Sequence, residues 1–165
     1  MRKKLIIIAV LALTLLSFTN VWAFSETQGA LIKSRCDVIR EDLKTLQKND
    51  SRVRVYLGAL YERVLTKYMV PLNVRLVENN INNVELIENQ NSFAETRIAF
   101  VDDFVNYQKS LEELTLMDCK KEPEIFYQEL IDVRKKREKM AKNVAKLSEL
   151  IAKQKELVMK LRETL

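Results

Sequence analysis

Downstream of Pro123 the chain runs to Leu165 without a glycine or another proline. Phe126, Leu130, Val133, Met140, Val144, Leu147, Ile151, Val158, Leu161 and Leu165 fall there on alternating steps of four and three, interrupted only by Arg137 and Gln154. Heptads sustained over this length predict one long, coiled-coil-like helix. The rest of the chain is almost as poor in breakers, with two glycines and two prolines in 165 residues. A β or α/β fold needs frequent turns built from those residues, whereas long helices do not. The expected class is therefore all-α.

Upstream, the same periodicity divides the chain. Ser25-Glu-Thr-Gln28 fits a capping box, and Ile32, Cys36, Ile39, Leu43 and Leu46 follow on one helical face. The polar run Lys48-Asn49-Asp50-Ser51 predicts a turn, ending a first helix over about 26–48. Val53, Leu57, Leu60, Val64 and Tyr68 continue the spacing, Pro71 interrupts it, and Val74, Val77, Ile81 and Val84 resume it in a shifted phase. We read a second helix over about 52–89, kinked at Pro71. Ser92-Phe-Ala-Glu95 fits a second capping box and opens a third helix over about 93–118. Pro123 suits the first turn of the fourth, where its missing N–H costs nothing. The expected architecture is an elongated antiparallel bundle of four helices.

The first 23 residues stand apart from this bundle. Arg2, Lys3 and Lys4 precede an apolar run from Leu5 to Phe18, and Val21-Trp22-Ala23 places small residues at −3 and −1. That pattern reads as a signal peptide cleaved after Ala23, with residues 24–165 as the bundle domain. The alternative is an uncleaved anchor over residues 5–23, close to the roughly 20 residues that span a bilayer. Three of the net five positive charges lie in this leader and no acid does, leaving +2 for the remainder. The basic balance is thus no argument for nucleic acid, and export leads away from it.

Two cysteines in an exported chain read as one disulfide, Cys36–Cys119. Axial counting at about 1.5 Å per residue places the pair level if helix two is continuous to residue 89. With helix two ending near Glu78 instead, the same count would separate them by about 20 Å. The count also carries helix four past the turn between helices two and three near Leu150. Residues of about 150–165 should then project alone, offering Ile151, Val158, Leu161 and Leu165 to a protein partner or to a second copy.

Several chemistries are excluded or weak. The chain has no histidine, which removes Ser-His-Asp and Cys-His catalysis and the Glu-x-x-His di-iron pattern. Asp102-Asp103 and Glu112-Glu113 are sequence neighbours and do not converge on a helix. No Gly-rich loop can cradle a phosphate. No catalytic, cofactor or metal site is expected. Arg134, Lys135, Lys136, Lys139, Lys142 and Lys146 form a basic run. It reads as a solvated helix face balanced by Asp102, Asp103 and Glu95, or as a surface for anionic lipid, envelope polymer or an acidic partner. Arg137, on the apolar seam, is expected to snorkel or to fix register against a carboxylate.

The stretches "SRCDVIR", "LTKYM" and "MDCKKEPEIFYQEL" resemble a group of small exported helical proteins of ultrasmall, reduced-genome bacteria. The shared pattern is an early Arg-Cys, then Asp-Cys, Pro and Phe-Tyr before a long last helix. The resemblance implies an exported helical bundle and lends no activity and no site residues. Taken together, the expected function is non-enzymatic: an exported scaffold or binding protein at the cell envelope, associating through its C-terminal heptad helix. A membrane-anchored sensor or adaptor ectodomain and a chaperone-like holder of unfolded exported proteins are the alternatives. Membrane contact is expected only if residues 5–23 are retained.

Overall fold

A computed structural model describes residues 24–164. The leader, its alternative as an anchor, and Leu165 lie outside the described residues. Those residues form three long helices rather than four, and no strand occurs among them. The first, α1, runs Glu26–Arg63, passes through a π-helical stretch at Val64–Met69 and resumes as Val70–Glu78. Helix α2 is Val84–Leu116 and α3 is Pro123–Thr164.

The capping box at the start of α1 is present. The Gln28 amide donates to Ser25 Oγ (3.2 Å) and the Ser25 amide to Gln28 Oε1 (2.9 Å). The turn expected at Lys48–Ser51 is absent. Asn, Asp and Ser disfavour a helix interior by only a few tenths of a kcal/mol each, and tertiary contacts override that here. Ser51 Oγ donates back to the Gln47 carbonyl (2.8 Å), and Asp50 turns inward to partners on both other helices. The helix runs on through Pro71, which marks neither the kink expected there nor a chain reversal. Proline removes one backbone donor and crowds the carbonyl four residues before it. The wide turn just upstream accommodates this, with the Val70 amide donating to the Leu65 carbonyl five residues back.

The chain reverses instead at Asn79–Asn83, inside the region expected to be helical. Asn80 has φ 55°, the Asn80 amide donates to the Val77 carbonyl (3.1 Å) and the Ile81 amide to the Leu76 carbonyl (2.9 Å). This is a Schellman motif with asparagine where glycine is usual. Its customary apolar contact is made as well, since Ile81 packs on the cluster of Leu76, Leu86 and Leu157. The second expected capping box, at Ser92, lies within α2, where the Ser92 carbonyl accepts from Thr96 Oγ1. At the other end of the molecule the Asp118 carboxylate accepts from the Lys120 and Lys121 amides, and Pro123 opens α3.

The disulfide joins Cys36 to Cys119 with Cα atoms 5.6 Å apart. A helix end near Glu78 is compatible with this bond because the expected turn at 48–51 is absent. In the observed fold α1 descends about 63 Å from Cys36 to Glu78, α2 returns about 50 Å, and the extended residues after it restore about 10 Å. Losing one turn and gaining another leaves the cysteines level. A formed disulfide points to an oxidising, extracytoplasmic setting.

Moving the turn to 79–83 also corrects the projecting tail. Helix α3 reaches the level of that turn near Leu157, not Leu150. Leu150 and Leu157 are buried, Ile151 packs on the middle core, and Leu161 packs on the lower one. Three apolar clusters therefore stack along the bundle. The upper holds the disulfide with Tyr107, Leu111, Leu114 and Phe126. The middle holds Tyr61, Met69, Phe93, Phe100, Leu147 and Leu150, and the lower Leu76, Leu86 and Leu157.

Candidate binding groove between the first and third helices

Helix α2 packs on α3 along nearly its whole length, whereas α1 leans on α2 and meets α3 sparsely. The shallow side of this arrangement is an apolar groove between α1 and α3. Leu57, Val64, Met140, Val144 and Ile151, half-buried against the middle core, line it. On the α1 wall Val53 and Tyr68 face solvent, with Tyr68 64% exposed. On the α3 wall Val158 is 36% exposed and Met159 47%.

Two compartments lie along the groove. The lower, about 300 Å³, is lined by Val64, Tyr68, Met69, Ile151, Val158 and Met159, with Gln154 and Lys155 as its polar walls. The upper is a dent of about 40 Å³ between Val53, Leu57, Phe100, Phe104, Met140 and Val144, closed by Asp50 and Arg54. The Arg54 guanidinium lies 5.4 Å from the centre of the Phe104 ring, a cation–π distance. Of the residues expected to bind a partner, Ile151 and Val158 thus meet in one groove. Leu161 lies in a different place, beside Leu157 under the Asn79–Asn83 turn.

At the upper end of the groove the three helices share a polar node. Arg137 on α3 grips Asp50 on α1 with two bonds, Nε to Oδ2 (2.7 Å) and Nη2 to Oδ1 (3.1 Å). The Tyr107 hydroxyl on α2, fully buried, donates to the same Oδ2 (2.7 Å). Burial alone would raise the Asp50 carboxyl, but the hydrogen bonds from Arg137 and Tyr107 and the guanidinium charge more than offset it, so it sits below the usual carboxylate range. The Tyr107 phenol is pushed up by burial and by its bond to the carboxylate. The expectation that Arg137 finds a carboxylate is met. Sequence reasoning missed Asp50 as that partner because the residue had been assigned to a turn.

Gln154, the second interruption of the heptads, has a similar role lower down. The buried Asn89 Nδ2 donates to Gln154 Oε1 (2.9 Å) and to the Leu150 carbonyl (3.0 Å). Asn73 Nδ2 donates to the Leu86 carbonyl (3.2 Å) and to Gln90 Oε1 (2.9 Å), tying α1 to α2.

The basic run divides. Lys136 pairs with Asp132 and donates to Ser110 Oγ. Lys139 pairs with Asp103 (2.7 Å), and Lys146 with Glu149 (3.2 Å). Arg134, Lys135 and Lys142 form no ion pair among the described residues. Lys109, Lys136 and Lys139 share an open polar cleft of about 480 Å³ with Asp103 and Glu113, a mixed-charge surface. No three His, Cys, Asp or Glu side chains converge as a metal site among the described residues. No described helix is long and apolar enough to cross a membrane. No family model, curated protein or solved structure matches the chain.

Proposed function

We propose that this chain is a non-enzymatic, exported helical scaffold or binding protein of the cell envelope, associating through the groove side of its C-terminal heptad helix. One observation carries the reading: Val158 and Met159 on α3 stay exposed opposite a still more exposed Tyr68 on α1, beside a well-filled core. Scattered apolar residues are ordinary on a surface, but a concave apolar strip between two rigid helices is a common seat for a partner. The disulfide supports the extracytoplasmic half of the proposal.

A photo-crosslinking residue placed at Met159 in the intact chain tests it, with Val38, exposed on the upper part of α1, as the control position. Irradiation of intact cells is expected to give discrete protein adducts from position 159 and none from position 38. Adducts from neither position, or equally from both, would remove the reading.

A further inference from the structure

We propose that the α1/α3 groove receives an amphipathic α-helix of another protein, apolar stripe inward and carboxylates along its flanks, as the fourth helix of the bundle. This rests on the association reading above and adds the chemistry of the partner.

The shape of the groove favours a helix. The apolar strip runs from Val53 to Tyr68 on α1 and from Met140 to Met159 on α3, about 25 Å, the length of a helix of about 17 residues. Immediately around α3 from Val144 and Ile151 lie Ala141, Ala145, Ser148 and Ala152, all exposed and spaced at i, i+4, i+7 and i+11. These small residues leave room for a helix backbone to approach between the taller walls formed by Tyr68 and Met159. Ser148 Oγ is already satisfied by the Val144 carbonyl (3.0 Å), so covering it costs no hydrogen bond.

Charge selects the flanks. Among the residues lining the two compartments the cations are Arg54 and Lys155, and the sole carboxylate is Asp50. Asp50 is already committed to Arg137 and Tyr107. Arg137, with half of its side chain exposed, balances that carboxylate beside the upper compartment, leaving Arg54 and Lys155 as the unbalanced charges of the lining. The lining of the two compartments therefore offers apolar contact with a net positive charge, complementary to an acid-flanked helix. A second copy presenting the same groove would set Arg54 and Lys155 against like charges.

The test uses the oxidised chain and two labelled synthetic peptides of equal length and helicity. Both carry leucine at the a and d positions; one has glutamate on both flanks and the other lysine. Fluorescence anisotropy is expected to show at least about ten-fold tighter binding of the glutamate peptide, weakening as salt rises. Arg54→Glu with Lys155→Glu should shrink that preference below about two-fold. Ala152→Trp, at an exposed position, should fill the groove and abolish binding while circular dichroism stays unchanged.

Equal affinity for the two peptides, binding that survives Ala152→Trp, or no binding of either peptide would overturn the proposal. So would a dimer that Ala152→Trp dissolves, or anionic vesicles retained by the parent chain and released by Ala152→Trp. Adducts at position 159 with equal peptide affinities would remove only the partner chemistry. Absence of those adducts would remove the association reading beneath it.

Discussion

The two ends of α1 are held in different ways. At the upper end Cys36 is bonded to Cys119, Arg40 Nε donates to the Thr115 carbonyl (3.0 Å), and Lys120 pairs with Asp37. The core beneath is closed, with Tyr107, Leu111, Leu114, Cys119 and Phe126 all at 0% exposure. Below Asp50 no covalent bond ties α1 to its neighbours. Apolar contacts, the Glu62–Arg97 ion pair and asparagine bridges to α2 hold it there, and its α3-facing side stays open to solvent. The contrast teaches that the apolar groove lies where the molecule spends least covalent and polar constraint. A surface that must admit another chain can be left incomplete only if the fold is secured elsewhere.

Removing the staple should have the largest effect on this contrast. Cys36→Ser with Cys119→Ser is expected to cost about 4–5 kcal/mol, the loop-closure value for a separation of 83 residues, read as a lower denaturant midpoint. Hydrogen exchange should accelerate most in the upper half of α1, erasing the difference between its ends. Leu157→Ala attacks the other end. It should cost about 2–4 kcal/mol as a cavity in the lower cluster, with exchange rising around Asn79–Asn83 and little changed near Cys36.

The polar node separates the two regions, and its loss should rank next. Asp50→Ala leaves the buried Tyr107 hydroxyl without its acceptor and is expected to cost about 2–3 kcal/mol, discounted because Arg137 can rehydrate. The Asp50 carboxyl is held below its ordinary value in the folded state. Its contribution is therefore complete above about pH 4, the unfolded value, and is lost as pH falls through the lower folded value. Chemical denaturation at pH 7 and pH 3 should show that acid-dependent loss shrinking in Asp50→Asn.

Asn80→Ala, at φ 55°, should cost about 1 kcal/mol for want of a residue tolerant of that backbone. The smallest effect is expected from Met159→Ser. On a groove wall rather than in the core, it should shift stability by no more than about 0.5 kcal/mol. A larger shift in thermal melting would mean that the groove belongs to the core after all.

The helical class, the long last helix, the staple and the role of Arg137 were legible because each follows from spacing or from scarcity. The turns were harder to read, for a shared physical reason. Polar residues such as Asn49, Asp50 and Ser51 cap helices in isolation, yet in the bundle Asp50 serves two other helices, information that is non-local. Asn79 and Asn80 form a helix stop without glycine, and the apolar spacing of Val77, Ile81 and Val84 runs across it because Ile81 belongs to the stop's own contact. The groove followed the same logic. Ile151 and Val158 were recognisable as a surface wanting cover, but the opposite wall depended on a helix whose end had been misplaced.

The disulfide also decides how the protein would carry tension. A pull applied at Phe24 and at the far end of α3 travels down to Cys36, crosses the sulfurs to Cys119 and continues into α3. The residues between the cysteines form a covalent ring outside that load path. The lower half of α1, all of α2 and the Asn79–Asn83 turn lie in this ring, so about 280 Å of contour is withheld from extension until the bond is reduced. One wall of the groove thus hangs from an unloaded ring, while the other is the strut that bears the force.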